Sequence, residues 1–220
     1  MNAGAAFPWR RLVWRLALTL LALAIWFWTQ SLIAQRAVPA SGVGDALQTW
    51  TAGLNFYFYH SPSAANALLI LSSALIDGLG IFLLARWLFG PSVRPFLGLV
   101  LLLGLRQIMQ AICALPPPPN MIWHYPGFPS LLVTYNVGND FFFSGHTAIA
   151  VLGSIELAKL GKWWLTSLAV GIILFEISAV LILRAHYTMD VFTGLLAAIV
   201  VAQFCSGISP RIDAWLSPGN

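Results

Sequence analysis

The stretch that decides the fold is FFFSGHTAIAVLGSIEL, at residues 141–157. It approaches the roughly 20 apolar residues that a helix needs to cross a bilayer, yet it contains His146. A second apolar stretch, LRAHYTMDVF at 183–192, contains His186 and Asp190. A charged side chain at membrane depth costs roughly 2.5–3.5 kcal/mol on insertion scales, and such residues are usually functional or paired. The two stretches therefore predict a membrane protein with reactive side chains inside its spans.

The composition of the whole chain favours the same class. Of 220 residues, 59% are hydrophobic and 8% are charged, whereas a soluble domain carries about 25% charged residues. So few charges do not cover a water-facing surface, which indicates an integral membrane protein. The net charge of +4 is small and scattered along the chain, so we expect no nucleic-acid partner.

Hydropathy predicts an all-α, polytopic membrane protein with about six transmembrane helices. The first span follows basic residues but is too long for the apolar part of a signal peptide, so we expect it to be retained. The prolines at 116–119 cannot continue a helix and should end the third span. The predicted spans are residues 12–33, 64–84, 96–115, 141–157, 163–183 and 187–204.

The basic residues between the spans predict the orientation. Lys and Arg concentrate before the first span, in alternate connections and after the last span, which is the pattern of cytoplasmic segments. His146 and His186 then fall near the opposite ends of their spans, so we expect an active site on the non-cytoplasmic (periplasmic or lumenal) side. We divide the chain into N-terminal helices with an outer loop (1–105), a catalytic core (106–206) and a C-terminal tail (207–220).

His186 and Asp190 are four residues apart and so share one face of a helix. A carboxylate in that position can hold one imidazole nitrogen and leave the other free, and it stabilises an imidazolium or a phosphorylated imidazole. A buried pair that only joins two helices would show the same spacing. The spacing of this pair does not decide between the two interpretations.

The Ser144-Gly145-His146 sequence is more specific. Gly145 allows close approach of the backbone, and the first amides of a helix attract phosphate, so we expect His146 beside an anion site. An interfacial histidine after a helix cap is the alternative. Asp140 is a candidate for that cap, a role that we favour over a contact with substrate.

Two arginines are candidates for binding the anion. Arg106 lies in an apolar run, where it either binds phosphate or pairs with Asp77 or Glu176. Arg184 lies at the outer interface, where it either binds phosphate or extends to the lipid headgroups. The sequence has no Cys or His cluster at metal-ligand spacing, so we predict neither a metal nor another cofactor.

Together these motifs resemble the lipid phosphatase/phosphotransferase superfamily, the type 2 phosphatidic acid phosphatases and their relatives. The resemblance is closer to the sphingomyelin synthase-like branch, through Arg106 leading into ALPPPP, Asp140 leading into FFFSGHT, and HYTMDV. It extends to the plant phosphatidylcholine:diacylglycerol cholinephosphotransferases, through YNVGNDFFFSGH and LRAHYTMD. The resemblance covers residues 106–204, and the first 105 residues match only as hydrophobic spans.

The chain departs from the water-using phosphatases of that superfamily, which carry Lys-x6-Arg-Pro. Arg86 and Arg94 before Pro95 come close, but their spacing is one residue too long and both lie in a predicted cytoplasmic loop. The Ser-Arg pair that precedes the second histidine in those phosphatases is replaced by Ala179 and Val180.

What the resemblance implies is a two-histidine mechanism without a metal. His186, oriented by Asp190, attacks the phosphorus of a phospholipid, and His146 protonates the leaving alcohol and later deprotonates the acceptor. The residues implied in substrate binding are Arg106, Ser144, Gly145, Arg184, Asp140 and Tyr187.

We therefore expect a membrane phosphotransferase that moves a headgroup, phosphocholine in first place, from a phospholipid donor to a lipid alcohol such as diacylglycerol or ceramide. The phenylalanines at 141–143 suit a lipid-facing, water-poor entrance to the site. A lipid phosphate phosphatase that uses water is the alternative, and a non-catalytic membrane protein or a proton-linked transporter is a weaker one. The sequence leaves the oligomeric state open.

Overall fold

The computed structural model describes residues 9–35, 43–135, 138 and 140–216. Within these ranges the chain forms eight α-helices and no strand, which confirms the predicted all-α class. Three residues of the YNVGND run, at 136, 137 and 139, lie outside the described residues. The helices are α1 (Trp9–Ala34), α2 (Ala46–Trp50), α3 (Ala52–Tyr59), α4 (Pro62–Phe89), α5 (Arg94–Ile112), α6 (Gly145–Ala158), α7 (Trp163–Ile182) and α8 (Thr188–Leu216).

Five of these helices, α1, α4, α5, α7 and α8, are long and apolar enough to cross a membrane. Helix α6 has only 14 residues and is shorter than a span. Helices α4, α5, α7 and α8 all pack against it, and most of its side chains are buried. The predicted span at 141–157 is therefore corrected to a short central helix. Its apolar sequence reflects burial among other helices, which hydropathy alone does not distinguish from contact with lipid.

Helix α6 begins later than predicted because Ser144 caps it. The Ser144 hydroxyl accepts a hydrogen bond from the N–H of Thr147 at 3.3 Å. The prediction that Asp140 is the cap is thus wrong. Phe141 and Phe143, just before the cap, are 2% and 1% exposed. These two rings pack inside the protein, so for Phe141 and Phe143 the prediction of a lipid-facing position is wrong, whereas Phe142 is half-buried.

The long connection between α5 and α6 folds back against the helices. The carboxylate of Asp77, in the middle of α4, accepts hydrogen bonds from the Leu131 and Leu132 N–H groups at 2.8 and 2.9 Å and from the Ser130 hydroxyl at 2.9 Å. A carboxylate within an apolar helix needs such partners. The connection is thereby held between the helices, where it contributes to the wall of the site described below.

The last helix extends beyond the predicted span, which ended at residue 204. Asp213, near the end of α8, accepts hydrogen bonds from the Ser92 hydroxyl at 2.7 Å and the Val93 N–H at 2.6 Å. These bonds tie the end of α8 to the turn between α4 and α5. The short helices α2 and α3, between α1 and α4, were not predicted, because hydropathy detects only long apolar helices.

Candidate active site

The two histidine motifs lie side by side because their backbones are bonded to each other. The Ser144 N–H donates to the carbonyl oxygen of Asp190 at 3.0 Å. Gly194, one turn further along α8, makes this approach possible, since a Cβ there would lie 2.6 Å from the Ser144 carbonyl oxygen. The start of α6 and the start of α8 are therefore fixed together. His146 and His186 line one cavity.

His186 lies in the turn before α8 with a buried carboxylate beside it. Its Nδ1 is 3.7 Å from Oδ2 of Asp190, and Asp190 is fully buried. The same Oδ2 accepts a hydrogen bond from the Tyr187 N–H at 2.9 Å, which fixes the carboxylate. Because Nδ1 is the nitrogen that faces the acid, Nε2 is the nitrogen left for another partner.

His146 occupies the first turn of α6. Trp123 packs edge-to-face against its ring, with the two ring centroids 5.1 Å apart, a favourable aromatic geometry that orients the imidazole. The Nε2 of His146 has no hydrogen-bond partner among the described residues, although the residue is only 7% exposed. Buried polar atoms are normally paired, so this nitrogen is a candidate to exchange a proton with a ligand.

Arg106 places a guanidinium over the start of α6. Its Nε donates to the Phe143 carbonyl oxygen at 2.9 Å, and its Nη2 donates to the Asp140 carbonyl oxygen at 2.8 Å. Nη2 also forms an ion pair with Oδ2 of Asp140 at 3.4 Å. A Cβ on Gly145 would lie 3.0 Å from Nε, so a residue without a side chain suits this position. The guanidinium adds to the partial positive charge of the helix N-terminus.

These groups share one small cavity, which we call the histidine cavity. Its volume is about 30 Å³, room for about two water molecules at roughly 10–15 Å³ each. It brings together two imidazoles and one guanidinium. The lining residues are Trp26, Ile76, Leu103, Arg106, Trp123, Leu132, Val133, Thr134, Asp140, Phe141, Gly145, His146, Ile149, Ala185 and His186.

Some of the residues predicted to bind substrate lie elsewhere. Ser144, Tyr187 and Arg184 are not among the described residues that line the histidine cavity. The guanidinium of Arg184 instead donates to the carbonyl oxygens of Pro119 at 2.7 Å and Gln48 at 3.3 Å. This arginine therefore ties the long connection to α2, and Ser144 acts on the site through the cap of α6.

Helix α1 supplies two residues that the sequence analysis missed. Trp26 lines the histidine cavity. The Gln30 side-chain amide donates to Oδ2 of Asp140 at 3.2 Å and accepts from the Gln107 amide at 3.1 Å. Gln30 is a buried polar residue in an apolar helix, which is the same signal that singled out Arg106. That Gln30 pairs with Asp140, 110 residues along the chain, cannot be inferred from the sequence around either residue.

Helix α2 holds the turn that contains His186. The Gln48 side-chain amide donates to the His186 carbonyl oxygen at 3.1 Å. The Asp45 carboxylate accepts from the N–H and the hydroxyl of Thr188 at 2.5 and 2.7 Å. Burial tends to raise the pKa of Asp45, but the hydrogen bonds from Thr188 and Gln48 outweigh it, so this pKa lies below its ordinary value. Asp45 is therefore ionised at neutral pH. Gln48 lies in a short helix outside the predicted spans and Asp45 caps that helix, so sequence reasoning missed both residues.

The arrangement has the parts for nucleophilic and acid–base chemistry on an anion. One imidazole has a carboxylate behind it, a second has a free nitrogen, and a guanidinium lies at a helix N-terminus. Within the parts of the chain that the structure describes, no three His, Cys, Asp or Glu side chains are grouped so that they could hold a metal ion.

Comparisons with known proteins match most of the chain. A family model described as AtPDCT1/2 matches residues 45–207. The chain is similar to phosphatidylcholine:diacylglycerol cholinephosphotransferase 1 of Arabidopsis thaliana, with 24% identity over 150 residues, which are 68% of this chain and 48% of that protein. The chain thus spans about half the length of that relative. No solved structure matches it.

Proposed function

Because the chain belongs to the family that the AtPDCT1/2 model describes, we propose that it is a membrane phosphotransferase that moves phosphocholine from a phospholipid to a lipid alcohol. One observation carries the proposal: two imidazoles and a guanidinium line a single cavity, with the Asp190 carboxylate behind one imidazole. The donor and acceptor classes follow the name of the Arabidopsis relative. Diacylglycerol is the first acceptor to test, and ceramide the second.

In the first half-reaction, His186 is the nucleophile. Its Nε2 attacks the phosphorus of the diester, so a P–N bond forms while the P–O bond to the diacylglycerol oxygen breaks. His146 donates a proton to that leaving oxygen. Asp190, at 3.7 Å from Nδ1, stabilises the positive charge of the phosphorylated ring, and this distance shortens when the ring becomes charged.

In the second half-reaction, the same groups act in reverse. The lipid alcohol enters, His146 takes the proton of its hydroxyl, and the oxygen attacks the phosphorus. The P–O bond forms, the P–N bond breaks, and His186 returns to its starting state. Arg106 and the N-terminal amides of α6 stabilise the negative charge on the phosphoryl oxygens in both steps.

The charge of the cavity favours a diester over a phosphomonoester. Apart from the two histidines, Arg106 is the only basic residue among the described residues that line the cavity, and Asp140 offsets its charge. A phosphomonoester carries about −1.5 to −2 charges near neutral pH and calls for more cations than a diester with one. A quaternary ammonium binds well against aromatic rings, and Trp26 and Trp123 line the same cavity.

Whether the acceptor is water or a lipid alcohol depends on how much water reaches the phosphohistidine. A phosphohistidine that meets water is hydrolysed, so a transferase must keep its site nearly dry. The histidine cavity has room for about two water molecules, and most of its wall is apolar. This favours a lipid alcohol as acceptor, because the alcohol has to displace only the few waters for which the cavity has room.

We place the histidine cavity on the non-cytoplasmic side, because the basic residues of the sequence concentrate at the other ends of the helices. A membrane-impermeant thiol reagent tests this placement in intact cells, on a background with Cys113 replaced by Ser. Phe128→Cys, in the α5–α6 connection, should be labelled, and Leu160→Cys, at the far end of α6, should not. Both native side chains are exposed. The reverse labelling would put the site in the cytoplasm.

The function itself is tested in liposomes with headgroup-labelled phosphatidylcholine and a diacylglycerol of distinguishable acyl chains. We expect the label to move to the added diacylglycerol, and to stay on the donor when no lipid alcohol is present, apart from one headgroup held on each enzyme molecule. His124→Ala is the matched control for histidine variants, because its exposed ring binds Asn66 at 2.8 Å and does not line the cavity.

Two results would contradict the proposal. Rapid release of inorganic phosphate from phosphatidic acid, without exchange between lipids, would identify a lipid phosphate phosphatase. The absence of reaction with both lipid classes, with ceramide also tried as acceptor, would support a non-catalytic membrane protein.

A further inference from the structure

A second cavity, large and almost wholly apolar, lies between α1 and α5. Its volume is about 300 Å³, against about 30 Å³ for the histidine cavity. We call it the apolar groove. Apart from Trp26, Thr19 is the only described lining residue with a polar side-chain atom, and its hydroxyl donates to the Arg15 carbonyl oxygen at 2.8 Å. The lining residues are Leu18, Thr19, Leu21, Ala22, Leu23, Ile25, Trp26, Leu84, Phe96, Leu99, Val100, Leu103, Gly104 and Leu132.

The apolar groove lies next to the histidine cavity. Trp26, Leu103 and Leu132 line both, so the same three side chains form the partition between them. The indole Nε1 of Trp26 has no hydrogen-bond partner within the described part of the chain, although the residue is only 7% exposed. A buried, unpaired N–H at the junction of a polar and an apolar cavity suits a ligand that has an acceptor between a polar and an apolar part.

The length of the groove is close to the thickness of one leaflet of a bilayer. Leu18 and Trp26 are eight residues apart on α1, which corresponds to about 12 Å of helix. The hydrocarbon core is about 30 Å thick, or about 15 Å for each leaflet. Leu21 and Ile25 line the groove and are 57% and 51% exposed. The groove is therefore open toward the surrounding lipid along α1.

We propose that the apolar groove binds one acyl chain of the phosphodiester lipid whose phosphate occupies the histidine cavity, and that Trp26 donates to the ester carbonyl of that chain. The proposal rests on the proposed function. Helix α1 lies outside the residues that the family model matches, and α5 lies within them. One wall of the groove therefore belongs to the region that the family shares, and the other wall does not. The preference of this protein for particular acyl chains then depends largely on α1.

Photocrosslinking tests the occupant without requiring turnover. The protein is reconstituted with a phosphatidylcholine that carries a photoreactive group in the middle of one acyl chain, and the crosslinked residues are mapped by mass spectrometry. We expect enriched crosslinks at the groove residues of α1 and α5. Crosslinking there at the level of the lipid-exposed face of α7 would overturn the proposal, whether or not the protein transfers a headgroup.

Filling the groove gives a matched pair of variants. Gly104 lines the groove, and a Cβ built there meets nothing within 4 Å, so Gly104→Trp places an indole in open space. Gly171, on α7, is also exposed with nothing within 4 Å of a Cβ, and Gly171→Trp serves as the control. Gly104→Trp should remove the enriched groove crosslinks, and Gly171→Trp should keep them. Equal crosslinking in both variants would contradict the proposal.

The same pair separates binding of the tail from chemistry. With long-chain against dihexanoyl phosphocholine donors, Gly104→Trp should lower the ratio of long-chain to short-chain kcat/KM about tenfold. That corresponds to about 1.4 kcal/mol, the burial of about two methylene groups. Gly171→Trp should leave this ratio at the wild-type value. A wild type that transfers no headgroup defeats the proposed function, whereas transfer with an unchanged ratio in Gly104→Trp defeats only the groove.

Trp26→Phe tests the ester contact. It keeps an aromatic ring in the partition and removes the N–H, so it should lower kcat/KM for diacyl donors more than for dialkyl ether donors. An equal loss for both donors would remove Trp26 from the proposal.

Discussion

The two ends of α6 differ in how their polar side chains are paired. At the end of the helix, the Glu156 carboxylate binds Arg94 at 2.9 Å and Lys159 at 2.8 Å, and Asp213 of α8 fastens the neighbouring turn. We call this the ion-pair end. At the start of the helix, which we call the cavity end, the Nε2 of His146 has no hydrogen-bond partner among the residues described.

The difference separates groups that hold the fold from groups that act on a substrate. An unpaired buried polar group costs about 1–3 kcal/mol, and the unpaired atoms at the described cavity end include Nε2 of His146, Nδ1 of His186 and Oδ1 of Asp190. We interpret them as groups that gain a hydrogen-bond or charged partner when the substrate binds and reacts. Changes at the cavity end should then act mainly on turnover, and changes at the ion-pair end mainly on stability.

The largest expected effect is at the nucleophile. His186→Ala should lower turnover roughly 10⁴-fold or more, with thermal unfolding close to that of the wild type. Asp190→Asn and His146→Ala should also remove most activity. Because the three groups act as one unit, the triple variant should be little worse than His186→Ala alone. Headgroup transfer and thermal unfolding of each variant are the measurements, and wild-type transfer by His186→Ala would reject the assignment.

Arg106→Ala should lower kcat roughly 10²–10³-fold, as for the loss of one donor to a developing negative charge. The guanidinium also holds the Asp140 and Phe143 carbonyl groups, so some loss of stability is expected. Rescue separates the two roles: millimolar guanidinium salt should restore part of the turnover if the charge acts on the substrate. Arg184→Ala is the comparison, with a loss at least about tenfold smaller, and equal losses would contradict the different roles that we assign to the two arginines.

At the ion-pair end, Glu156→Gln should lower the free energy of unfolding by about 1–3 kcal/mol, between the values for exposed and buried pairs. Turnover well below the unfolding temperature should stay near the wild-type value. Thermal unfolding in detergent measures the loss of stability, and headgroup transfer at low temperature measures the turnover. A large loss of kcat in a stable protein would show that the two ends are not separate.

Gln48→Ala should give the smallest effect, because it removes one hydrogen bond to the His186 backbone. Such a bond is worth about 0.5–1.5 kcal/mol, which predicts a several-fold loss of kcat. We assign Gln48 as a positioning residue, so KM should change little and Gln48→Glu, which keeps the reach but offers no amide N–H, should not restore the rate. A rise in KM with kcat unchanged would indicate a contact with substrate instead.

The residues at the cavity end could be predicted because polar side chains are costly in apolar sequence. That cost singled out His146, His186, Asp190 and Arg106, and the structure brings them together. The pairing of Arg106 could not be predicted. Asp140, its partner, lies in a connection whose fold depends on backbone N–H groups bonded to Asp77, and backbone groups carry no sequence signal.

The number of spans could be predicted only in part, for a related physical reason. Hydropathy measures whether a segment avoids water, and α6 avoids water by being buried among other helices. Its start depended on the choice between Asp140 and Ser144 as cap, two residue types with similar preference. The contribution of Gln30 in α1 depended on a contact 110 residues along the chain, which a single sequence does not reveal.

The most direct test of the central claim is to trap the phosphorylated enzyme. The protein is incubated without acceptor with a phosphocholine diester labelled at phosphorus, quenched in alkali and mapped by mass spectrometry. We predict one phosphocholine group on His186 that disappears when diacylglycerol is added and is absent from His186→Ala. His146→Ala should still form it from a nitrophenyl phosphocholine donor, whose leaving group needs no proton. Headgroup transfer with no adduct on His186, or with the adduct on another residue, would contradict the account.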